Sequence, residues 1–289
     1  MNSVNKPIKS WIGNKENVTD IISGSVADRL AATLNRKTNV SFCEQPNLPP
    51  LWHWCHFIKP TAQSALGKDG HPAKGSFLPP IPLPRRMWAS GSLYFKRPLK
   101  IGVIASRQSV LTDIQEKQGK SGKLIFVTLK HNFFQEKELV LSEEQNLVYR
   151  NHPSKKLEKP LPKEPNESNV DYATVIQPNT MELFRYSALT FNSHRIHFDQ
   201  LYTTEIEAYA GLIVHGPLLA THLLELAHRS LGNKILNRIG KFEFRARNPA
   251  FVNEPLHLSC SKLAKNSLIH LSAKNEMGIE CMTARATIK

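Results

Sequence analysis

Asn192, His194, His197 and Asp199 place an amide, two imidazoles and a carboxylate within one short stretch, upstream of the turn His215-Gly216-Pro217. An imidazole titrates near neutrality, so His197 can take a proton from water and return it elsewhere. The Asn192 amide can hold that water or orient the ring, and on an extended segment Asp199 would share a face with His197. Pro217 suits the first position of a helix, which leaves the Gly216 N–H as a donor at the positive end of a helix dipole. Together these groups could hold a carbonyl and move protons on the carbons beside it. His194 and His197 are also spaced as H-x-x-H, a pattern open to zinc, but no third ligand falls into place and no metal is expected.

Something must position this set. The spacing of Leu218, Leu219, Leu223, Leu226 and Ala227 predicts a helix from about Pro217 to Leu231, stopped by Gly232. A short strand, Tyr172–Ile176, precedes the site, and three or four strands follow the helix to the C-terminus. In the first half, Thr19 or Asp20 can cap a helix running to about Asn35, and Leu51–Ile58 reads as an aromatic strand. Residues 59–86 are rich in proline, which interrupts regular structure, and their apolar side chains suggest packing over a surface. From Met87 to Arg150 the chain reads as a meander of long antiparallel strands, and residues 151–169 as a charged, Pro-rich linker.

The segment beginning at Gly91, GSLYFKRP, resembles GKFEFRARNP beginning at Gly240, and a run of strands follows each. That repeat predicts an α+β chain of two related units, each a long antiparallel sheet wrapped around a helix. Residues 1–150 would form a degenerate first unit, a wall or lid with the Pro-rich segment in place of the long helix, and residues 170–289 a catalytic second unit.

The chain has 289 residues, enough for one large domain or two smaller ones. Its net charge of +14 favours polyanionic partners, including phosphorylated cofactors such as coenzyme A. The lysines are scattered without an aromatic-interleaved stripe, so nucleic acid is not expected. No apolar stretch is long enough to span a membrane and no apolar leader opens the chain, which predicts a cytoplasmic protein. Cys43, Cys55, Cys260 and Cys281 are far apart and read as reduced thiols.

The stretch Tyr186–His197 resembles the signature of MaoC-like acyl-CoA hydratases, in which an aromatic start leads to D-x-N-P-hydrophobic-H. Asn192 and His197 fall on the family's catalytic Asp and His, and Gly216 in VHGPLLA on the glycine whose amide polarises the thioester carbonyl. The sequence departs from that pattern with Asn192 for Asp, His194 for Asn and Arg195 for Pro. The variant is similar to the branch of itaconyl-CoA and mesaconyl-C4-CoA hydratases and the related mitochondrial-type 3-hydroxyacyl-thioester dehydratases. WIG at Trp11, LPPLWHW at Leu48, GHPAKGSFLPPIPLPRRMWASG at Gly70 and DIQEKQGKSG at Asp113 extend the likeness over nearly the whole chain.

The resemblance implies a double hotdog fold and a hydro-lyase acting on an acyl-CoA without a further cofactor, alone or as a homodimer. Catalysis is expected from His197, Asn192 and Gly216. Because an amide cannot accept a proton, His197 would act as the base, with Asn192 as positioner and Asp199 orienting the imidazole or bracing the loop. Substrate contacts are expected from Asp199, Arg195, His215, Tyr209, Arg86 and Arg85. The three arginines are candidates to grip the free carboxylate of itaconyl-CoA or mesaconyl-C4-CoA through two parallel bonds. The alternative is a dehydratase of fatty-acyl thioesters, which calls for a long apolar tunnel, and a third reading is a catalytically silent acyl-thioester binder.

Overall fold

A computed structural model describes residues 7–119, 122–152, 170–232, 238–265 and 267–289. The first half contains β1 (Lys15–Ile21), α1 (Gly24–Thr33), β2 (Arg85–Phe95), β3 (Ile104–Gly119), β4 (Gly122–Gln135) and β5 (Glu138–Arg150). The second contains β6 (Tyr172–Ile176), α2 (Thr180–Leu189), α3 (Gly216–Leu231), β7 (Ile239–Ala246), β8 (Leu256–Cys260), β9 (Leu268–Asn275) and β10 (Glu280–Ile288). The predicted linker lies almost wholly outside the described residues.

All ten strands form one sheet in the order β1-β3-β4-β5-β2-β7-β10-β9-β8-β6, and every recorded pair is antiparallel. The order reads the same from either edge when each strand of one half is matched to its counterpart in the other. The two segments singled out as a repeat are β2 and β7, which join the halves at the centre, with Leu93 opposite Phe242. Both halves place a short helix after the edge strand. Among the described residues, only the second has a long one.

That helix, α3, is buried at every position from Leu218 to Ala227. A helix apolar on nearly all sides has to be enclosed, and the strands of the second half enclose it. Leu256, Leu258 and Cys260 of β8 alternate inward, as do Ile269, Leu271 and Ala273 of β9. Pro at its start and Gly232 at its end give the boundaries expected from sequence.

Two local readings need correction. Residues 15–21 are an edge strand paired with β3, and the helix begins only at Gly24, with Ser23 at the N-cap position but making no side-chain cap bond. Leu51–Ile58 is not a strand: Leu51 takes a left-handed conformation (φ 73°) and Trp52–Cys55 form a single 3-10 turn. Its aromatic composition misled because a half-buried strand needs one wet face, whereas Trp52, His53, Cys55, His56 and Phe57 are all buried. Trp52 packs against Phe42 at 4.9 Å, part of the filling of a half that lacks a long central helix.

Candidate active site

Three segments converge on one cavity of about 700 Å³. The loop after α2 brings Asn192, His194 and His197, the start of α3 brings His215 and Gly216, and the first half contributes His71 and Arg86.

His197 is buried in a 3-10 turn, and its Nδ1 lies 2.7 Å from the carbonyl oxygen of Ile213. A carbonyl only accepts, so Nδ1 carries the proton and Nε2 keeps its lone pair. Its ring stacks on that of His215 at 3.6 Å, and His215 Nε2 is 2.8 Å from the Ser187 hydroxyl. Burial, outweighing the bond to Ile213, pushes the His197 pKa down to about 4. His215 is likewise held well below the ordinary value, by burial and then by His197.

The Asn192 side-chain oxygen accepts from the His194 backbone N–H at 3.1 Å, which commits the oxygen and leaves the amide nitrogen for the cavity. Gly216 opens α3, and its N–H makes no backbone bond among the described residues. A Cβ at Gly216 would meet nothing within 4 Å. The protein's own packing therefore does not demand glycine there; its bareness keeps the amide open to the cavity. Gly216→Ala should fold at least as stably, since alanine is the better helix former, yet lose about 10²-fold in kcat if the amide carries the oxyanion. Thermal melting and steady-state rates on the same preparation check this.

Two site residues were not found by sequence reasoning. Asp69 and His71, from the Pro-rich segment of the first half, form a hydrogen-bonded pair at 3.0 Å, and the His71 ring lies 4.0 Å from that of His194. The loop carrying them is fastened to the site loop: the Arg195 N–H donates to the Asp69 carbonyl at 2.9 Å and the Ser193 hydroxyl to that of Gly70 at 2.5 Å. Gly70 makes this possible, with φ +85° and a Cβ position only 1.9 Å from the Ser193 carbonyl oxygen, so any other residue would force the loops apart. Burial, reinforced by the nearby Arg86 charge and opposed by Asp69, brings the His71 pKa down to about 4. Burial, then His71 and His197, lower that of His194 further. Asp69, His71 and His194 each offer a ligand atom within 4.8 Å of the others, so among the described residues this group has the spacing to hold a divalent ion. Its Asp69 carboxylate already accepts from the His71 ring and backbone N–H.

The cavity does not reach every residue expected to touch substrate. Asp199 accepts from Arg195 Nε and Nη2 at 2.9 and 2.7 Å and from the Tyr202 N–H at 2.9 Å, bracing the loop away from His197. Arg195 is thereby occupied and sits over the Tyr202 ring at 4.2 Å. Arg85 is buried in an ion pair with Glu207 at 2.6 Å and lies over the Tyr209 ring at 4.5 Å. None of these three lines the cavity, whereas His215, Tyr209 and Arg86 do. Arg86 has no ion pair among the described residues.

His71 and His197 are neutral in the fold but charge in the unfolded chain below about pH 6.5. Between that pH and about 4 the unfolded state binds more protons, so stability is full above pH 6.5 and falls as the pH drops. The melting temperature should accordingly be lower at pH 5 than at pH 7.5, and the acid limb of kcat should lie well below pH 6.5. A limb centred at pH 6.5 would contradict a buried, neutral His197.

A hotdog sheet around a central helix, with an imidazole and a helix-opening amide lining one cavity, has the groups that a hydratase or dehydratase needs, and the relatives are hydro-lyases of that class. Residues 51–252 match the family described as hydroxyacyl-thioester dehydratase type 2, and the chain belongs to that family. It is 43% identical to a mesaconyl-C4-CoA hydratase of Chloroflexus aurantiacus over 249 residues, covering 86% of this chain and 87% of the relative. It is 32% identical to a mitochondrial hydroxyacyl-thioester dehydratase type 2 of Schizosaccharomyces pombe, covering 84% and 89%. Among solved structures, a MaoC-like dehydratase from Phytophthora capsici superposes with a TM-score of 0.67 at 14% identity, covering 96% of each chain. A Mycobacterium tuberculosis protein described as a double hotdog fold does so at 0.58 and 13%, covering 95% of each. No helix among the described residues is long and apolar enough to cross a membrane.

Proposed function

We propose that this enzyme adds water reversibly to the double bond of mesaconyl-C4-CoA, giving citramalyl-CoA. Arg86 carries this choice of substrate: a guanidinium lining the cavity beside the histidines, with no ion pair among the described residues, suits the free carboxylate on the β-carbon. The relative named mesaconyl-C4-CoA hydratase supports the same reading.

In the proposed reaction His197 Nε2 takes a proton from a water held by the Asn192 amide nitrogen while the water oxygen bonds to the β-carbon. The π electrons move toward the thioester, whose oxygen takes up charge against the Gly216 N–H. The imidazolium then gives its proton to the α-carbon, which restores the neutral ring. This route requires a double bond conjugated with the thioester. Mesaconyl-C4-CoA has one and itaconyl-CoA does not, so itaconyl-CoA should be the poorer substrate.

The test is a panel of mesaconyl-C4-CoA, itaconyl-CoA and crotonyl-CoA, with loss of enoyl absorbance for the conjugated pair and chromatography of citramalyl-CoA for the third. Mesaconyl-C4-CoA should have the highest kcat/KM. A preference for crotonyl-CoA would instead favour a dehydratase of simple acyl thioesters. A cytoplasmic location and pairing with a second copy belong to the same proposal.

A further inference from the structure

Beyond the histidines, the cavity is lined by residues of the first half, with polar groups set among apolar ones such as Leu129, Phe133 and Leu147. Glu143, His53 and His131 are 3%, 3% and 7% exposed and line it there, whereas Arg245 and Arg247, which also line the cavity, are exposed. The Glu143 carboxylate lies 3.1 Å from His53 Nε2 and accepts from Trp54 Nε1 at 3.1 Å. Burial alone would raise its pKa, but its bond to His53 and the charges and donors around it outweigh that and hold it below the usual range. His131 is 2.7 Å from the Ser109 hydroxyl through Nδ1 and 3.2 Å from Gln145 Oε1 through Nε2. An amide oxygen only accepts, so His131 donates from Nε2 and Ser109 donates to Nδ1. The Gln145 amide nitrogen keeps both hydrogens and has no partner among the described residues. Arg107 also lines the cavity; its Nη2 is 3.3 Å from Glu16, and its buried Nε has no partner among the described residues.

We propose that Gln145, its oxygen held by His131 and its amide nitrogen free, is a polar stop in the first-half part of the acyl cavity, which admits short acyl groups and rejects a long alkyl chain. The inference rests on the acyl-thioester reading. A short acyl group leaves the Gln145 amide nitrogen hydrated. A chain long enough to reach it strips that water and offers no acceptor in return, the situation in which a site discriminates most strongly.

Initial rates of the full chain on crotonyl-CoA and trans-2-decenoyl-CoA test it. For the wild type, kcat/KM on the ten-carbon thioester should be at least about 100-fold lower than on crotonyl-CoA. Gln145→Leu should raise the decenoyl-to-crotonyl ratio by about tenfold or more, with Gln145→Met as the second variant should the first fail to fold by circular dichroism. A wild-type ratio near one overturns the stop, as does a low ratio that a folded variant leaves unmoved. Turnover of neither thioester while mesaconyl-C4-CoA reacts overturns the stop as the source of selectivity; if mesaconyl-C4-CoA is not turned over either, the hydratase reading itself fails.

Discussion

His197→Ala is expected to lower kcat by about 10³-fold while leaving the fold intact. The bond from Nδ1 to the Ile213 carbonyl fixes the tautomer, so the lone pair lies on Nε2, and burial keeps the ring neutral down to about pH 4. Such a ring is always in the form that accepts a proton at physiological pH. No carboxylate backs it among its hydrogen bonds, so its conjugate acid is short-lived and gives the proton up readily to the α-carbon. Asn192 cannot substitute, because its oxygen is committed to the His194 N–H and its nitrogen only donates. Steady-state rates with mesaconyl-C4-CoA, read beside circular dichroism, check the result; a variant within tenfold of wild type would remove His197 as the base.

Arg86→Ala should cost about 10²-fold or more in kcat/KM on mesaconyl-C4-CoA and much less on crotonyl-CoA. Removing one partner of a desolvated charge pair costs about 2–5 kcal/mol, and crotonyl-CoA has no charge to lose. Arg86→Lys separates charge from geometry: it should recover only part of the loss, since an ammonium cannot make two parallel bonds to a carboxylate. The Arg86 charge also helps hold the His71 and His194 pKa values down, so the alanine variant should bind protons there more readily. Equal losses on both substrates would mean that Arg86 serves the site's electrostatics rather than the carboxylate.

Legibility in the sequence followed the distance over which a signal acts. The long helix announced itself through its leucines, its proline and its closing glycine, and the β2 and β7 segments through likeness to each other. His197, Asn192 and Gly216 were readable because they lie in two short motifs separated by one turn region. Asp69 and His71 were not, since their approach to the site is made by contacts over about 120 residues of chain. The one local hint was Gly70, a glycine between two polar residues in a segment already broken by prolines. Asp199 and Arg195 are four apart, a spacing that on a helical turn produces an ion pair, and that pairing draws both away from substrate. Arg85 and Arg86 are adjacent in a strand and must point to opposite faces, so at most one could face the cavity. Which one depends on register, and the pairing of β2 with β5 and β7 turned Arg85 toward Glu207.

A crystal structure of the enzyme with butyryl-CoA, a saturated thioester that cannot react, tests the central claim most directly. The thioester oxygen should lie about 2.7–3.1 Å from the Gly216 nitrogen, with the β-carbon beside His197 Nε2 and the Asn192 amide. A thioester bound with its oxygen turned from Gly216, or an acyl chain that bypasses His197, would contradict it.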